Sequence, residues 1–203
     1  ETVDTLVIDK TGTITEGKPR LIAAKTLAGE DEDDLLALAA AVEAQSEHPL
    51  AHAIVTAAQE GGLKLAAIQD FGSQTGLGGS ANVGGRSVVI GNAAQLRRIG
   101  ADPGPLEELA QSHRADGAGV MLVAIDDRPA GLLAVADPVR ANAREAIAAL
   151  RADGLKVMML TGDNAATAEA VAQQVGGLDA VHADLRPDDK ARIVGQLKAS
   201  GAR

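Results

Sequence analysis

Apolar and polar residues alternate in two different ways along the chain. A short run rich in β-branched residues, Thr2–Ile8, predicts a buried strand that brings Asp9 to its carboxyl end. From Asp137 onward, apolar runs alternate with helical patterns, which is typical of a parallel sheet with helices on both faces. The predicted elements of this later stretch are helices at residues 139–151, 164–175 and 187–198 and strands at residues 156–160 and 180–182.

The middle of the chain has the pattern of an antiparallel α+β unit. Glycine-rich alternation and the turn signal Gly84-Gly85 predict hairpins there. The predicted elements are helices at residues 31–45, 49–60 and 105–115 and strands at residues 65–71, 78–83, 86–90, 120–126 and 129–136. The simplest architecture is an α/β domain that this unit interrupts just after Asp9, with a hinge where the chain crosses twice. The predicted boundaries are 1–19 and 135–203 for the α/β domain and 20–134 for the inserted one.

Length, charge and cysteine content exclude several classes of partner and binding site. A length of 203 residues fits one large domain or two small ones. A net charge of −9 argues against nucleic acid or an anionic membrane surface as the main partner. The absence of cysteine excludes disulfides and thiolate metal sites, and the four histidines lack zinc-site spacing. Because no apolar run reaches the ~18 residues of a membrane span and no signal peptide is evident, we expect a soluble piece.

Candidate chemistry lies at the carboxyl ends of two predicted parallel strands. The stretch at residues 9–13 reads DKTGT, and the stretch at residues 161–164 reads TGDN. A carboxylate in the first position can attack phosphorus, and Lys10 with the N–H groups around Gly12 can neutralise phosphoryl oxygens. Thr161 and the helix N-terminus that follows it form a candidate anion site. Either stretch alone is also compatible with an ordinary turn or helix cap, but adjacent parallel strands would bring the two together.

Further side chains and glycines are candidates for ligand contact. Lys190 would stabilise the charge of a transferring phosphoryl group, although a lone helical lysine is often a surface residue. Pro49 restricts His48 to extended backbone and would hold its imidazole rigidly, unless the histidine only marks a helix boundary. The glycine-rich stretches at residues 76–78 and 91–92 would let a flat ligand or a phosphate approach the backbone, although a structural hairpin has the same composition. Phe71, the only aromatic residue, is expected in the core.

Taken together, these motifs resemble the P-type ATPases of the heavy-metal class. DKTGT at residues 9–13 is similar to their phosphorylation signature, and TGD at residues 161–163 is similar to their second phosphate-site motif. DPVR at residues 137–140 resembles the family's Asp-Pro-x-Arg motif near the hinge, and SEHPL at residues 46–50 resembles a motif of the heavy-metal class. The order and spacing of the motifs fit along essentially the whole chain.

The resemblance implies a fold, an activity and a set of site residues. The implied fold is a haloacid-dehalogenase-like α/β phosphorylation domain with an inserted α+β nucleotide-binding domain. The implied activity is phosphorylation of Asp9 by ATP, followed by hydrolysis, to drive metal-ion transport across a membrane. The implied catalytic residues are Asp9, Lys10, Thr11, Thr161, Gly162, Asp163 and Lys190. The implied adenosine-binding residues are Glu43, His48, Gly76, Gly78 and Gly91, and the implied ligands of Mg²⁺ are Asp9 and Thr11.

The resemblance also implies parts that this sequence lacks. The chain ends at Arg203, before the family's Gly-Asp-Gly-x-Asn-Asp motif, and it has neither transmembrane helices nor an actuator domain. We therefore expect a fragment at the cytoplasmic face of a membrane, poorly active alone, that binds ATP and Mg²⁺. Its expected partners are the transmembrane and actuator domains of the same pump, and the transported ion would bind outside this region. The stretch 182–187 favours zinc, cadmium or cobalt over copper.

Competing interpretations come from three other classes of protein. A potassium-pump catalytic subunit shares DKTGTIT but lacks the Ser-Glu-His-Pro motif that is present here at residues 46–49. A soluble haloacid dehalogenase-type phosphatase usually has Asp two positions after its nucleophile, where this chain has Thr11, which favours a long-lived phosphoenzyme. A regulatory nucleotide-binding module would never become phosphorylated.

Overall fold

The computed structural model describes residues 3–27, 31–46 and 48–203, without the side chain of Pro49, and these residues form two compact units. The strands are β1 (Thr5–Asp9), β2 (Arg20–Thr26), β3 (Ile68–Gln74), β4 (Gly78–Val83), β5 (Arg86–Gly91), β6 (Gly119–Ile125), β7 (Arg128–Ala136), β8 (Lys156–Leu160) and β9 (Ala180–His182). The helices are α1 (Glu32–Glu43), α2 (Pro49–Glu60), α3 (Ala93–Arg98), α4 (Gly104–Ala115), α5 (Ala143–Ala152), α6 (Ala165–Gln174) and α7 (Pro187–Ala199).

The first unit contains both ends of the described chain. It comprises the described part of residues 1–18, residues 115–117 and residues 137–203. Its sheet is parallel with the order β1-β8-β9, and its core is built mainly of aliphatic side chains such as Ile14, Met159 and Val171. The register pairs Asp9 with Leu160. Because both strands end at the same edge, the loops that follow Asp9 and Leu160 start side by side.

The second unit comprises the described part of residues 19–114 and residues 118–136. Its six strands are antiparallel in the order β2-β7-β6-β5-β4-β3. Helices cover both faces of this sheet, since α1 and α2 pack into one apolar cluster and α3 and α4 into another. Leu122 and Val123 are consecutive on β6, and both are buried, but they belong to different clusters. Because successive side chains of a strand point to opposite faces, one sheet contributes to two separate apolar cores.

The predicted fold class, parallel α/β with an inserted antiparallel α+β unit, is confirmed. Two elements, the strand β2 and the helix α3, were not predicted, and the strand predicted at residues 65–71 lies at Ile68–Gln74. The predicted helix at 139–151 was wrong at its start, because α5 begins at Ala143. Val139 instead forms an antiparallel bridge with Thr15, and the Arg140 N–H donates to the Ile14 carbonyl at 2.9 Å. Within the described residues, no helix is both long and apolar enough to cross a bilayer.

Two glycines face each other where β4 pairs with β5, and neither position has room for a side chain. Gly78 pairs with Gly91, and a Cβ placed on Gly78 would lie 2.1 Å from the Ile90 carbonyl oxygen. A Cβ on Gly91 would lie 2.2 Å from the Leu77 carbonyl oxygen. Neither backbone oxygen can move without breaking strand pairing. These two glycines are therefore required by the sheet itself.

Replacing Gly78 by alanine should destabilise the second unit. The new Cβ would collide with backbone rather than with a flexible side chain, so we expect Gly78→Ala to lower the free energy of unfolding by about 3 kcal/mol. The matched control is Gly72→Ala in β3, where the nearest atom to a new Cβ is the Ser80 hydroxyl oxygen at 3.6 Å. Urea titration of both variants measures the difference, and equal midpoints would contradict the close approach.

Candidate functional sites

Asp9 lies at the carboxyl end of β1 with half of its side chain exposed to solvent. Its Oδ1 atom accepts hydrogen bonds from the Lys10 backbone N–H at 2.8 Å and from the Lys190 ammonium at 3.0 Å. Among the described residues, no donor lies within hydrogen-bond range of Oδ2. One carboxylate oxygen is thus anchored beside a positive charge, and the other is available to attack an electrophile.

A buried network joins the loop after Asp9 to the loop after β8. The Lys10 side chain is buried, and its Nζ lies 3.1 Å from Asp163 Oδ2. The buried Thr161 hydroxyl donates to the same oxygen at 2.5 Å and accepts from the Asp163 N–H at 3.1 Å. Burial alone would raise the pKa of Asp163, but the hydrogen bonds from Thr161 and Lys10 and the charge of Lys10 hold it below its usual value.

This network differs from the sequence-based expectation for Lys10. Its ammonium was expected to neutralise phosphoryl oxygens directly, but it is directed to Asp163, because a buried cation needs a close counter-charge. Lys190, which the sequence offered only as a lone lysine, is the cation in contact with Asp9. Thr161 and Asp163 are brought into this network, whereas Thr11 and Gly162 are exposed beside it.

The backbone N–H and carbonyl of Gly12 are both held by hydrogen bonds. Gly12 has φ +76°, and its N–H donates to the buried Thr15 hydroxyl oxygen at 3.3 Å. Its carbonyl accepts from Arg140 Nη2 at 3.0 Å, while the Thr15 hydroxyl lies 2.5 Å from Asp137 Oδ2. Sequence reasoning noted the DPVR stretch but gave Arg140 and Thr15 no role. These contacts fix the loop after Asp9 in one conformation.

The second unit contains a cavity of about 420 Å³ beside α1, α2 and the β3–β4 turn. All five residues expected to contact adenosine line it, and the set is Glu43, His48, Gly76, Gly78 and Gly91. Phe71 lines it as well and is 39% exposed, so the expectation that this ring lies in the core was wrong. The sequence carried a signal for Phe71, since the only aromatic residue precedes the glycine-rich turn.

His48 and Glu43 are held by local structure. His48 caps α2 in extended backbone, with φ −70° and ψ 136°, as expected before proline. Its Nδ1 accepts the Leu50 N–H at 3.2 Å, so the neutral imidazole carries its proton on Nε2. Glu43 is only 7% exposed, and this burial raises the pKa of its carboxyl, opposed by a hydrogen bond from the Ser46 side chain. Glu43 and His48 therefore offer the cavity a fixed acceptor and a fixed donor, beside further polar residues of its lining such as Ser73, Thr75 and Asn92.

The expected metal ligands form only a partial donor set. Over the described residues, no group of three histidine or acidic side chains is placed to hold a metal ion. Asp9 supplies one free carboxylate oxygen, and Thr11 is exposed next to it. Mg²⁺ in phosphate-handling sites commonly takes one or two carboxylates and completes its shell with substrate oxygens and water. The donor set fits an ion that is shared with a phosphate.

Comparison with known proteins places this geometry in a family. The model of the haloacid dehalogenase-like hydrolases matches residues 3–203. The chain is 48% identical to a copper-exporting P-type ATPase of Legionella pneumophila, over 99% of this chain and 27% of that protein. It is 44% identical to a silver-exporting P-type ATPase of Salmonella typhimurium, over 99% of this chain and 24% of that protein. The chain thus spans about a quarter of the relatives it matches.

A solved structure of similar fold comes from the same class of pump as the relatives found by sequence. The crystal structure of a zinc-transporting PIB-type ATPase in its E2.Pi state superimposes with a TM-score of 0.82 at 37% identity, covering 98% of this chain and 32% of that one. The resemblance found from the motifs is therefore confirmed. The chain belongs to the haloacid dehalogenase-like hydrolase family, and its relatives within that family are heavy-metal P-type ATPases.

Proposed function

We propose that this chain is the ATP-binding and phosphorylation region of a heavy-metal-transporting P-type ATPase, located at the cytoplasmic face of a membrane. The proposal rests mainly on the hydrogen bonding of the two oxygens of the Asp9 carboxylate. Oδ1 is anchored by Lys190 and the Lys10 N–H, whereas no donor from the part of the chain that the structure describes bonds to Oδ2. Such an arrangement orients a nucleophile without using both of its oxygens.

The proposed reaction transfers the γ-phosphoryl group of ATP to Asp9. Oδ2 would form a bond to the γ-phosphorus, and the bond from that phosphorus to the bridging oxygen would break, releasing ADP. Water would later attack the phosphorus of the aspartyl phosphate, releasing phosphate and restoring the carboxylate. Lys190 would offset the charge of the transferring group, because its ammonium already lies 3.0 Å from the Asp9 carboxylate.

Residues of both loops would support this step. Lys10 would act by holding Asp163, which in turn fixes the Thr161 hydroxyl at the edge of the sheet. Thr161, Gly162 and Asp163 would form one wall of the phosphoryl site. Asp9 and Thr11 would hold Mg²⁺ together with phosphate oxygens, and the ion would supply further neutralisation of charge.

The cavity of the second unit would bind the adenosine part of ATP. Glu43 would accept from the exocyclic amine of adenine, and His48 would donate through Nε2. Gly76, whose missing Cβ has no atom within 4 Å, would leave space for the ligand. Gly78 and Gly91 would contribute indirectly, because they allow the two strands under the cavity to pair.

Transport itself would need the transmembrane and actuator domains of the same pump, and the transported ion would not bind in this region. The preference for zinc, cadmium or cobalt stays a prediction. The relatives named above are copper and silver exporters, whereas the solved structure is of a zinc transporter. What these names share is a soft or borderline transition metal.

The nucleophile can be tested in the full-length pump. Asp9→Asn keeps the size of the side chain and removes the anionic oxygen, so the acid-stable ³²P-labelled phosphoenzyme formed from ATP should disappear. The control is Asp153→Asn, which changes an exposed carboxylate after α5 and should leave labelling intact. Labelling of the Asp9→Asn pump at the level of the unmodified pump would overturn the proposal.

The adenine contact of Glu43 predicts a pH dependence. Because burial raises the pKa of Glu43, its carboxylate should take up a proton closer to neutral pH than an exposed glutamate and then stop accepting from the adenine amine. Adenosine, which carries no phosphate, should bind about tenfold more weakly below that pKa. The parent chain and Glu43→Gln differ only at this side chain, so the difference between their calorimetric profiles isolates Glu43. Parallel profiles would contradict its contact with the base.

A further inference from the structure

Helix α7 brings Lys190 to Asp9 from the surface of the first unit. Within the described chain, which includes all of α7, no residue of this helix is buried or packs against the core of the unit. Lys190 lies in the first turn of the helix, where its N–H donates to the Arg186 carbonyl at 3.2 Å. Its ammonium lies 3.0 Å from Asp9 Oδ1. The point at which α7 begins therefore determines whether this cation reaches the carboxylate.

The loop between β9 and α7 is fastened to the TGD loop that follows β8. The Asp184 N–H donates to the Asp163 carbonyl at 2.7 Å, and the Leu185 N–H donates to the Thr161 carbonyl at 3.1 Å. The Thr161 N–H in turn donates to the carbonyl of His182, the last residue of β9, at 2.9 Å. Backbone hydrogen bonds thus join the two loops directly before α7 begins.

The same two loops approach each other closely at Gly162. A Cβ built on this residue would lie 3.2 Å from the Leu185 carbonyl oxygen, which is closer than ordinary van der Waals contact. The glycine of the TGD loop therefore allows the β9–α7 loop to lie directly against it. This contact gives Gly162 a structural reason that its exposed position does not suggest.

Asp184 makes the change of chain direction that these hydrogen bonds require. Its φ is +55°, in the left-handed region that residues other than glycine, asparagine and aspartate seldom adopt. Its side chain is exposed, and its carboxylate has no hydrogen bond or ion pair with the residues that the structure describes. Asp184 therefore contributes through its backbone conformation and not through its charge. Strain of this kind persists where the surrounding structure enforces it, and it is common beside functional sites.

We infer that Asp184 is a positioning residue for phosphoryl transfer, because its left-handed backbone holds the β9–α7 loop on the TGD loop and so places Lys190 against Asp9. The inference rests on the proposed phosphorylation of Asp9. The TGD loop is itself joined to the loop after β1 by the contact between Asp163 and Lys10. The nucleophile and the cation that contacts it are therefore positioned relative to the same loop, and Asp184 acts without touching the reacting atoms.

A role of the backbone predicts a graded series of variants in the full-length pump. Asp184→Gly and Asp184→Asn keep access to the left-handed region, so ³²P labelling from ATP should proceed at the parent rate. Asp184→Val disfavours that region and should lower the rate of labelling at saturating ATP by about tenfold or more, because a displaced cation no longer faces the transferring group. Asp184→Ala should give a smaller loss in the same direction. The ATP concentration for half-maximal labelling should not change, since no residue of α7 is among the described lining of the adenosine cavity.

The matched control is Asp127→Val, which changes another exposed aspartate with a left-handed φ, +61°, in the turn between β6 and β7. It should lower the urea midpoint of the chain and leave the rate of labelling of the pump intact. Amide hydrogen exchange of the chain measures the fastening of the two loops directly. In Asp184→Val, the amides of Thr161 and Leu185 should exchange about tenfold faster than in the parent, whereas Asp127→Val should not change them.

The outcomes separate this inference from the proposed function. A parent rate of labelling in Asp184→Val and Asp184→Ala, unchanged exchange at Thr161 and Leu185 in Asp184→Val, or equal losses of labelling in Asp184→Gly, Asp184→Asn and Asp184→Val would overturn the role of Asp184 while phosphorylation of Asp9 stands. Absence of labelling in the parent pump, or labelling that survives Asp9→Asn, would instead overturn the proposed function.

Discussion

The ion pair between the buried Lys10 and the partly exposed Asp163 is the interaction on which the candidate phosphoryl site depends. The parallel register of β1 and β8 sets Asp9 opposite Leu160, so the two loops begin at the same edge of the sheet. The pair then joins them, with Nζ and Oδ2 3.1 Å apart and Thr161 bonded to the same carboxylate. A charge this deeply buried is stable only with its partner, so the two loops hold each other in position.

Contacts between residues far apart in sequence also position the loop after Asp9. Arg140 donates to the Gly12 carbonyl, Thr15 accepts from the Gly12 N–H, and the Thr15 hydroxyl bonds to Asp137. Residues that follow the inserted unit in sequence therefore fix the loop that precedes it. In the second unit, backbone geometry likewise determines which side chains line the cavity. It does so through the glycine pair of β4 and β5 and through the register shift in β3 between Gln69 and Gly72.

The sequence patterns predicted the elements that follow from simple local signals. A strand that ends at Asp9, the TGD loop and the helix starting at Pro49 all have strong local signals, and each lies where it was expected. The start of α5 was missed because Val139 pairs with Thr15, a contact more than a hundred positions away in sequence that local propensity does not reveal. Phe71 was expected in the core, but it lies on β3, the edge strand of its sheet, where its ring lines the cavity and is 39% exposed, and the place of β3 in the strand order depends on long-range pairing. Likewise, the direction of the Lys10 ammonium depends on where β8 lies.

The central claim is that Lys10 and Asp163 join the two loops into one site, and a double-mutant cycle tests it most directly. Free energies of unfolding in urea would be compared for the parent, Lys10→Met, Asp163→Asn and the double variant. We expect Asp163→Asn, which leaves the buried Lys10 ammonium without its partner, to cost about 1–3 kcal/mol, and we expect the addition of Lys10→Met to recover most of that loss, because no buried charge is then left unpaired. The exposed pair Lys25–Glu32, also 3.1 Å apart, serves as the control and should couple by less than about 0.5 kcal/mol. Additive losses at Lys10 and Asp163 would contradict the account.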